Sequence, residues 1–146
     1  VEVPETAVET AKTEYSTVTP KKQAILILKN AQIKECNARG KKWDLGTKKT
    51  IFPDTFVEIF VDDKPKAKPK FRSKTAKDNL YPIWNESTQI TVTLDMKIKI
   101  NVYDRDLIQN DVIGSSGVVT ITQQDLDQGT LSLVFGQIVS LVLSFE

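Results

Sequence analysis

An all-β fold, an eight-stranded antiparallel Greek-key β-sandwich, is predicted for this 146-residue chain by three observations. From Ala24 onward, β-branched and aromatic stretches are separated by clusters of Gly, Pro, Asn and Asp, the pattern of short strands joined by turns. Apolar residues recur at period two in several stretches, so one face of each is buried and the other is wet. There is no internal repeat and no alternation of strand with helix, which argues against a parallel α/β sheet.

Taken in order, the residues before the sandwich, 1–22, mix Thr, Glu and Val without a sustained period. Pro4 and Pro20 interrupt them, so this stretch reads as a linker or arm, and residues 23–146 as the domain. The chain opens on Val with no signal-peptide pattern and reads as a piece of a larger protein. The eight strands expected are Ala24 to Glu35, Thr55 to Asp63, Lys70 to Lys77, Ser87 to Leu94, Lys97 to Asp104, Gly117 to Thr122, Thr130 to Gly136 and Gln137 to Glu146. Alternation is clearest in the fourth, fifth and seventh, through Ile90, Val92 and Leu94, then Ile98, Ile100 and Val102, then Leu131, Leu133 and Phe135. A single helical turn is expected around Thr122 to Asp127.

Composition narrows the chemistry. Hydrophobic residues make up 40% and charged residues 27%, which suits a folded domain able to bury a core without staples. The longest apolar runs fall far short of the ~20 residues a spanning helix needs. A net charge of +1 argues against a general nucleic-acid binder. With no His anywhere, the usual general base and the commonest metal ligand are missing. Cys36, the one cysteine, therefore reads as a small strand-end hydrophobe rather than a nucleophile. Carboxylates remain as the groups able to do chemistry.

Two carboxylate clusters stand out. Asp104, Asp106 and Asp111 lie in VYDRDLIQNDVIG, directly after the strongly alternating fifth strand. Residues two apart on an extended chain point the same way, so Asp104 and Asp106 converge, and the loop can return Asp111 to them. Three like charges brought together repel unless a cation lies among them. Calcium tolerates the irregular all-oxygen shell that loops supply, and a backbone carbonyl such as that of Arg105 can add to it. Taken alone, the same residues fit turn formers pointing into water equally well. Asp44 and Asp54 form the second cluster, bracketing Leu45 to Phe52; if the strands leading into both loops lie side by side, five carboxylates share one pocket.

These residues resemble the C2 domain family. PDTFVEIFVDD is similar to the C2 segment in which an Asp precedes a strand opening on an aromatic residue. LYPIWNES resembles its Pro-x-Trp-Asn-Glu turn at Pro82, Trp84, Asn85 and Glu86, and VYDRDLIQNDVIG resembles its third-loop motif, including Ile113 and Gly114. The resemblance covers Ala24 to Glu146 with the motifs in family order. It implies first-loop calcium ligands at Asp44 and Asp54 and third-loop ligands at Asp104, Asp106 and Asp111. Three departures from the family pattern stand out: the first loop is extended, similar to a Gly-Lys-x-Trp-Asp variant, the third loop is about one residue short, and Thr55 stands where the family usually has Pro, a change not expected to affect ligation. The strand order implied is the second, circularly permuted C2 topology, with the termini opposite the calcium loops.

Lys64, Lys66, Lys68, Lys70, Arg72 and Lys74 alternate along DDKPKAKPKFRSKTAK and share one face of an extended chain. Near an anionic leaflet each basic residue adds about 1 kcal/mol of salt-sensitive attraction. The same stripe also serves to protect a sheet edge, together with Pro65 and Pro69. Arg72 and Lys74 match basic positions of the C2 phosphoinositide patch, whereas Glu58 and Phe60 on the neighbouring strand depart from it. Trp43 is either a core plug or an interfacial anchor, Trp84 is expected beside a turn, and Ile108 is expected at a loop tip that inserts into lipid. The resulting expectation is a monomeric, non-catalytic module with Ca²⁺ as its cofactor, bound peripherally to an anionic phospholipid surface, with Lys66, Lys68, Lys70, Arg72, Lys74 and Ile108 against lipid. The alternative is a calcium-independent scaffold that binds protein.

Overall fold

The computed structural model describes residues 19–37, 39–40, 52–61, 68–106 and 109–146. Among them are eight strands and one short helix: β1 (Gln23–Ile33), β2 (Thr55–Val61), β3 (Phe71–Arg72), β4 (Ile83–Thr93), β5 (Lys97–Asp104), β6 (Asp111–Thr120), α1 (Gln123–Gln128), β7 (Thr130–Phe135) and β8 (Ile138–Phe145). They form two four-stranded antiparallel sheets, ordered β4-β1-β8-β7 and β3-β2-β5-β6.

Alternation decides the core. Ile98, Ile100 and Val102 on β5 are buried against Val57 and Ile59 of β2, with Leu26 and Leu28 of β1 and Leu141 and Leu143 of β8 supplying the opposing layer. Each such side chain contributes roughly 1.5–3 kcal/mol through removal from water. The fourth strand follows the expected period at Val92 but not at Leu94, which is 45% exposed. There the ladder has already turned: Asp95 adopts φ 66° and the Met96 N–H donates to the Thr93 carbonyl at 3.2 Å.

Three strand boundaries differ from expectation for identifiable reasons. β3 is only two residues long because Ser73 leaves the regular ladder; its hydroxyl accepts the Val57 N–H at 2.9 Å and donates to the Lys74 carbonyl at 2.8 Å. β4 begins at Ile83 and runs through the tryptophan motif, with Asn85 at φ 49° and Gln89 at φ 60° beside irregularities of register. Trp84 is therefore a strand residue, and its Nε1 donates to the Lys74 carbonyl at 2.9 Å while the Glu86 carboxylate accepts the Lys74 N–H at 3.1 Å. These bonds join the edges of the two sheets.

β6 begins at Asp111, six residues earlier than its Gly117 expectation, and this closes the other side of the sandwich. A Cβ on Gly114 would lie 2.9 Å from the Phe135 ring and 3.1 Å from its carbonyl. Gly136, at φ 54°, sits with its Cβ position 2.8 Å from the Gly114 Cα. Only glycine lets the β7–β8 hairpin approach β6 this closely. Gly114→Val should accordingly destabilise the domain by roughly 1–3 kcal/mol, as overpacking does, measured as a fall in the urea midpoint at unchanged slope.

The register sorts the ends of the strands into two poles. At one lie the end of β1, the start of β2, the end of β5, the start of β6 and the β7–β8 hairpin, tied by Ile33 opposite Ile138, Thr55 opposite Asp104, and the Gln137 N–H donating to Ile113 at 3.0 Å. At the other lie Gln23 opposite Thr93, Leu26 opposite Phe145, and α1. The helix is begun by a reciprocal Thr122–Asp125 capping box and ended by Gly129 at φ 76°. Lys21 is fastened there too, its N–H donating to Asp127 at 3.2 Å and its Nζ to the Phe145 carbonyl at 3.1 Å.

Candidate functional site

The first pole is acidic. Asp104 is the last residue of β5 and stands between Thr55 of β2 and Asp111 of β6 in the paired ladders. It is 1% exposed, and its Oδ1 accepts the Asp54 N–H at 2.9 Å. Asp54 precedes β2; its carbonyl accepts the Arg105 N–H at 2.8 Å and its Oδ1 accepts the Asp78 N–H at 2.7 Å. Asp106 follows β5, with its N–H donating to the Asn110 side chain at 3.2 Å. Residues far apart in the chain therefore meet: Asp54 from one connection, and Asp104, Asp106 and Asp111 from another.

Their proximity shows in the acidity of Asp106. Its carboxyl is held above its ordinary value of 3.8 by burial first, then by a hydrogen bond with Asp111 and by the charges of Asp111 and Asp54. The contributions from Asp111 and Asp54 are those a cation would relieve. The four side chains do not form a ready-made cage: among the described residues, no group of three or more His, Cys, Asp or Glu is arranged to hold a metal ion. Asp54 and Asp104 each turn one oxygen toward a backbone N–H. The donor set is nonetheless all-oxygen and multiply anionic, which suits calcium. Asp44, the remaining expected ligand, lies outside the described residues.

Beside the rim runs the basic strip. Lys68, Lys70, Arg72 and Lys74 are all exposed, while Pro69, Phe71 and Ser73 between them are half-buried or buried, so the expected alternation holds over this stretch. Lys64, Lys66 and Ile108 lie outside the described residues, as does Trp43. The strip is not uniformly cationic, however. The Arg72 guanidinium donates to Glu58 Oε2 from Nη2 at 2.7 Å and from Nε at 3.1 Å, and it lies 5.8 Å from the centre of the Phe56 ring. On the next strand Lys99 covers the Phe60 ring at 5.0 Å.

Between strip and rim is a polar recess lined by Phe56, Arg72, Ser73, Thr75, Arg105 and Asn110. Arg105 Nη1 donates to Thr75 Oγ1 at 3.3 Å. Sequence reasoning gave Arg105 only a backbone role; its place between two aspartates on an extended chain was the signal that its side chain points away from theirs. Exposed apolar residues at this pole were also missed: Tyr81 at 61%, Ile83 at 69% and Val112 at 62%. No helix among the described residues is long and apolar enough to cross a membrane.

Comparison with known proteins adds to this geometry. The family model for the C2 domain matches residues 29–133. "Multiple C2 and transmembrane domain-containing protein 2" of Mus musculus is 41% identical over 61 residues, which is 41% of this chain and 7% of that protein. Among solved structures, human GIVD cytosolic phospholipase A2 superposes with a TM-score of 0.59 at 20% identity, over 87% of this chain and 17% of the enzyme. The tandem C2 domains of Extended-Synaptotagmin 2 superpose with a TM-score of 0.54 at 21% identity, over 88% of this chain and 41% of theirs. The chain thus spans less than half the length of each of these relatives, and the structural likeness speaks to the fold.

Proposed function

Because this chain belongs to the C2 domain family, we propose that it is a calcium-dependent module that docks on anionic phospholipid membranes, as one part of a larger protein and without catalysis of its own. One observation carries the reading: Asp54, Asp104, Asp106 and Asp111 come together at one pole, where Asp106 is crowded by the negative charge of Asp111 and Asp54. These four, with Asp44, would hold calcium, which when bound supplies positive charge that neutralises the rim and attracts phosphate oxygens. The tandem domains of Extended-Synaptotagmin 2 have been solved calcium bound, in keeping with such chemistry in this fold.

The chain's own residues do the rest. Asp104, buried and fixed by the Asp54 N–H, anchors the rim to the sheet. Lys68, Lys70 and Lys74 attract an anionic leaflet, Arg105 offers its guanidinium in the recess, and Tyr81, Ile83 and Val112 give the pole an apolar collar. Lys66 and Ile108 would extend the lipid contact. The described ends of the chain lie at the far pole, so a tether there leaves the rim facing outward.

Thermal melting with calcium against magnesium tests this directly. At a hundredfold excess over its dissociation constant, calcium should add about 2.7 kcal/mol of stability, a rise on the order of 10 °C for a domain of this size; equal magnesium should give much less. Calcium-dependent sedimentation with phosphatidylserine vesicles should follow. The second reading, a calcium-indifferent protein-binding scaffold, is favoured by the carboxylate oxygens already engaged by backbone N–H groups, and it predicts no heat and no melting shift on adding calcium.

A further inference from the structure

We infer that Thr55 is a positioning residue for the acidic rim: its hydroxyl donates to the Asp104 carboxylate when a cation is bound, and so sets calcium affinity. This rests on the calcium reading above and goes beyond it, to a residue that supplies no ligand. Thr55 is wholly buried, and its Oγ1 finds no hydrogen-bond partner among the described residues. Its backbone is satisfied, with its N–H donating to the Ala76 carbonyl at 2.9 Å and its carbonyl accepting the Ala76 N–H at 2.8 Å. The hydroxyl is therefore this residue's one unmade bond, and leaving such a group unmade in a buried site is destabilising.

Its position says where that bond can be made. Thr55 lies directly opposite Asp104 in the β2–β5 ladder. The Arg105 N–H donates to the Asp54 carbonyl at 2.8 Å, one step along. Thr55 and Asp104 are thus a non-hydrogen-bonded antiparallel pair, the kind in which facing side chains stand closest, with Cα atoms about 4.5 Å apart. Both point inward: Thr55 shares its face with Val57 and Ile59, and Asp104 shares its face with Val102 and Ile100, all four fully buried. The hydroxyl and the carboxylate therefore lie on the same inner face of neighbouring strands beneath the rim, with no hydrogen bond between them. A neutral donor there fixes the plane of the Asp104 carboxylate, which is how outer-sphere partners strengthen a metal site.

Thr55→Val separates this role from packing, because it keeps the shape and removes the hydroxyl. Calorimetry with calcium chloride alone should show affinity roughly tenfold weaker, within the range for outer-sphere losses, while the melting temperature in chelator stays level or rises by a few degrees. Thr55→Ser should hold affinity near that of the wild type. Opposite signs in stability and affinity are the signature expected. Wild-type affinity in Thr55→Val, or loss of stability and affinity together, would overturn the inference and leave the calcium reading standing. A wild-type domain that takes up no calcium would overturn both.

Discussion

Asp104→Asn combined with Asp106→Asn is expected to abolish the calcium-induced rise in melting temperature and, with it, calcium-dependent binding to phosphatidylserine vesicles. The two positions do different work. Asp104 is buried and joined to the Asp54 N–H, so its replacement removes the charge that ties the rim to the sheet. Asp106 has its carboxyl held above its ordinary value by burial first and then by Asp111 and Asp54. Because its folded-state pKa is raised, stability falls as pH climbs from its ordinary value near 3.8 through the higher folded value. At neutral pH in chelator, Asp106→Asn alone should therefore melt slightly above the wild type, by a degree or two at this exposed site. The calcium increment should shrink in the same variant. A double variant that keeps its full calcium response would show that the rim is not where calcium acts.

How much of this could be read from the chain depends on how local each signal is. The fifth strand was legible to the residue, Lys97 to Asp104, because its alternation is unbroken and Asp104 marks the change to a polar stretch. Four of the five carboxylates do meet at one pole, but by another route than the expected one: β1 and β5, the strands leading into the two loops, lie in different sheets, and it is β2, which follows Asp54, that pairs with β5. The start of β6 was illegible: Asp111 and Gly114 read as loop residues, yet Asp111 pairs with Asp104, and Gly114 is demanded by Phe135, a residue far along the chain. Ser73 broke a predicted strand for a related reason, because its hydroxyl competes with backbone groups for the Val57 N–H. Thr55 seemed an inconsequential replacement until the ladder set it against Asp104. The basic stripe shows the limit from another side. Its spacing announced one exposed face, but neutralisation of Arg72 required knowing that Glu58 lies directly opposite it in the register.

That pairing gives the flank a testable asymmetry. Glu58 is largely buried, with a side chain 10% exposed, and Arg72 reaches it from solvent with 65% exposed. Glu58→Gln removes the negative partner but leaves a side chain of similar shape able to accept a hydrogen bond, so the loss in stability should stay within about 1 kcal/mol, as for a partly exposed pair. Arg72 is then released to an approaching leaflet. At about 1 kcal/mol per basic residue near an anionic surface, affinity for phosphatidylserine vesicles should rise roughly fivefold, and the gain should fade as salt shortens the reach of the charge. Arg72→Gln should do the reverse and more: it removes the cation and strands a carboxylate in a site only 10% exposed, so both vesicle affinity and melting temperature should fall. Sedimentation of the two variants at low and high salt reads the difference. Equal affinities at low salt would mean that this strip faces away from the membrane and that docking depends on the pole alone.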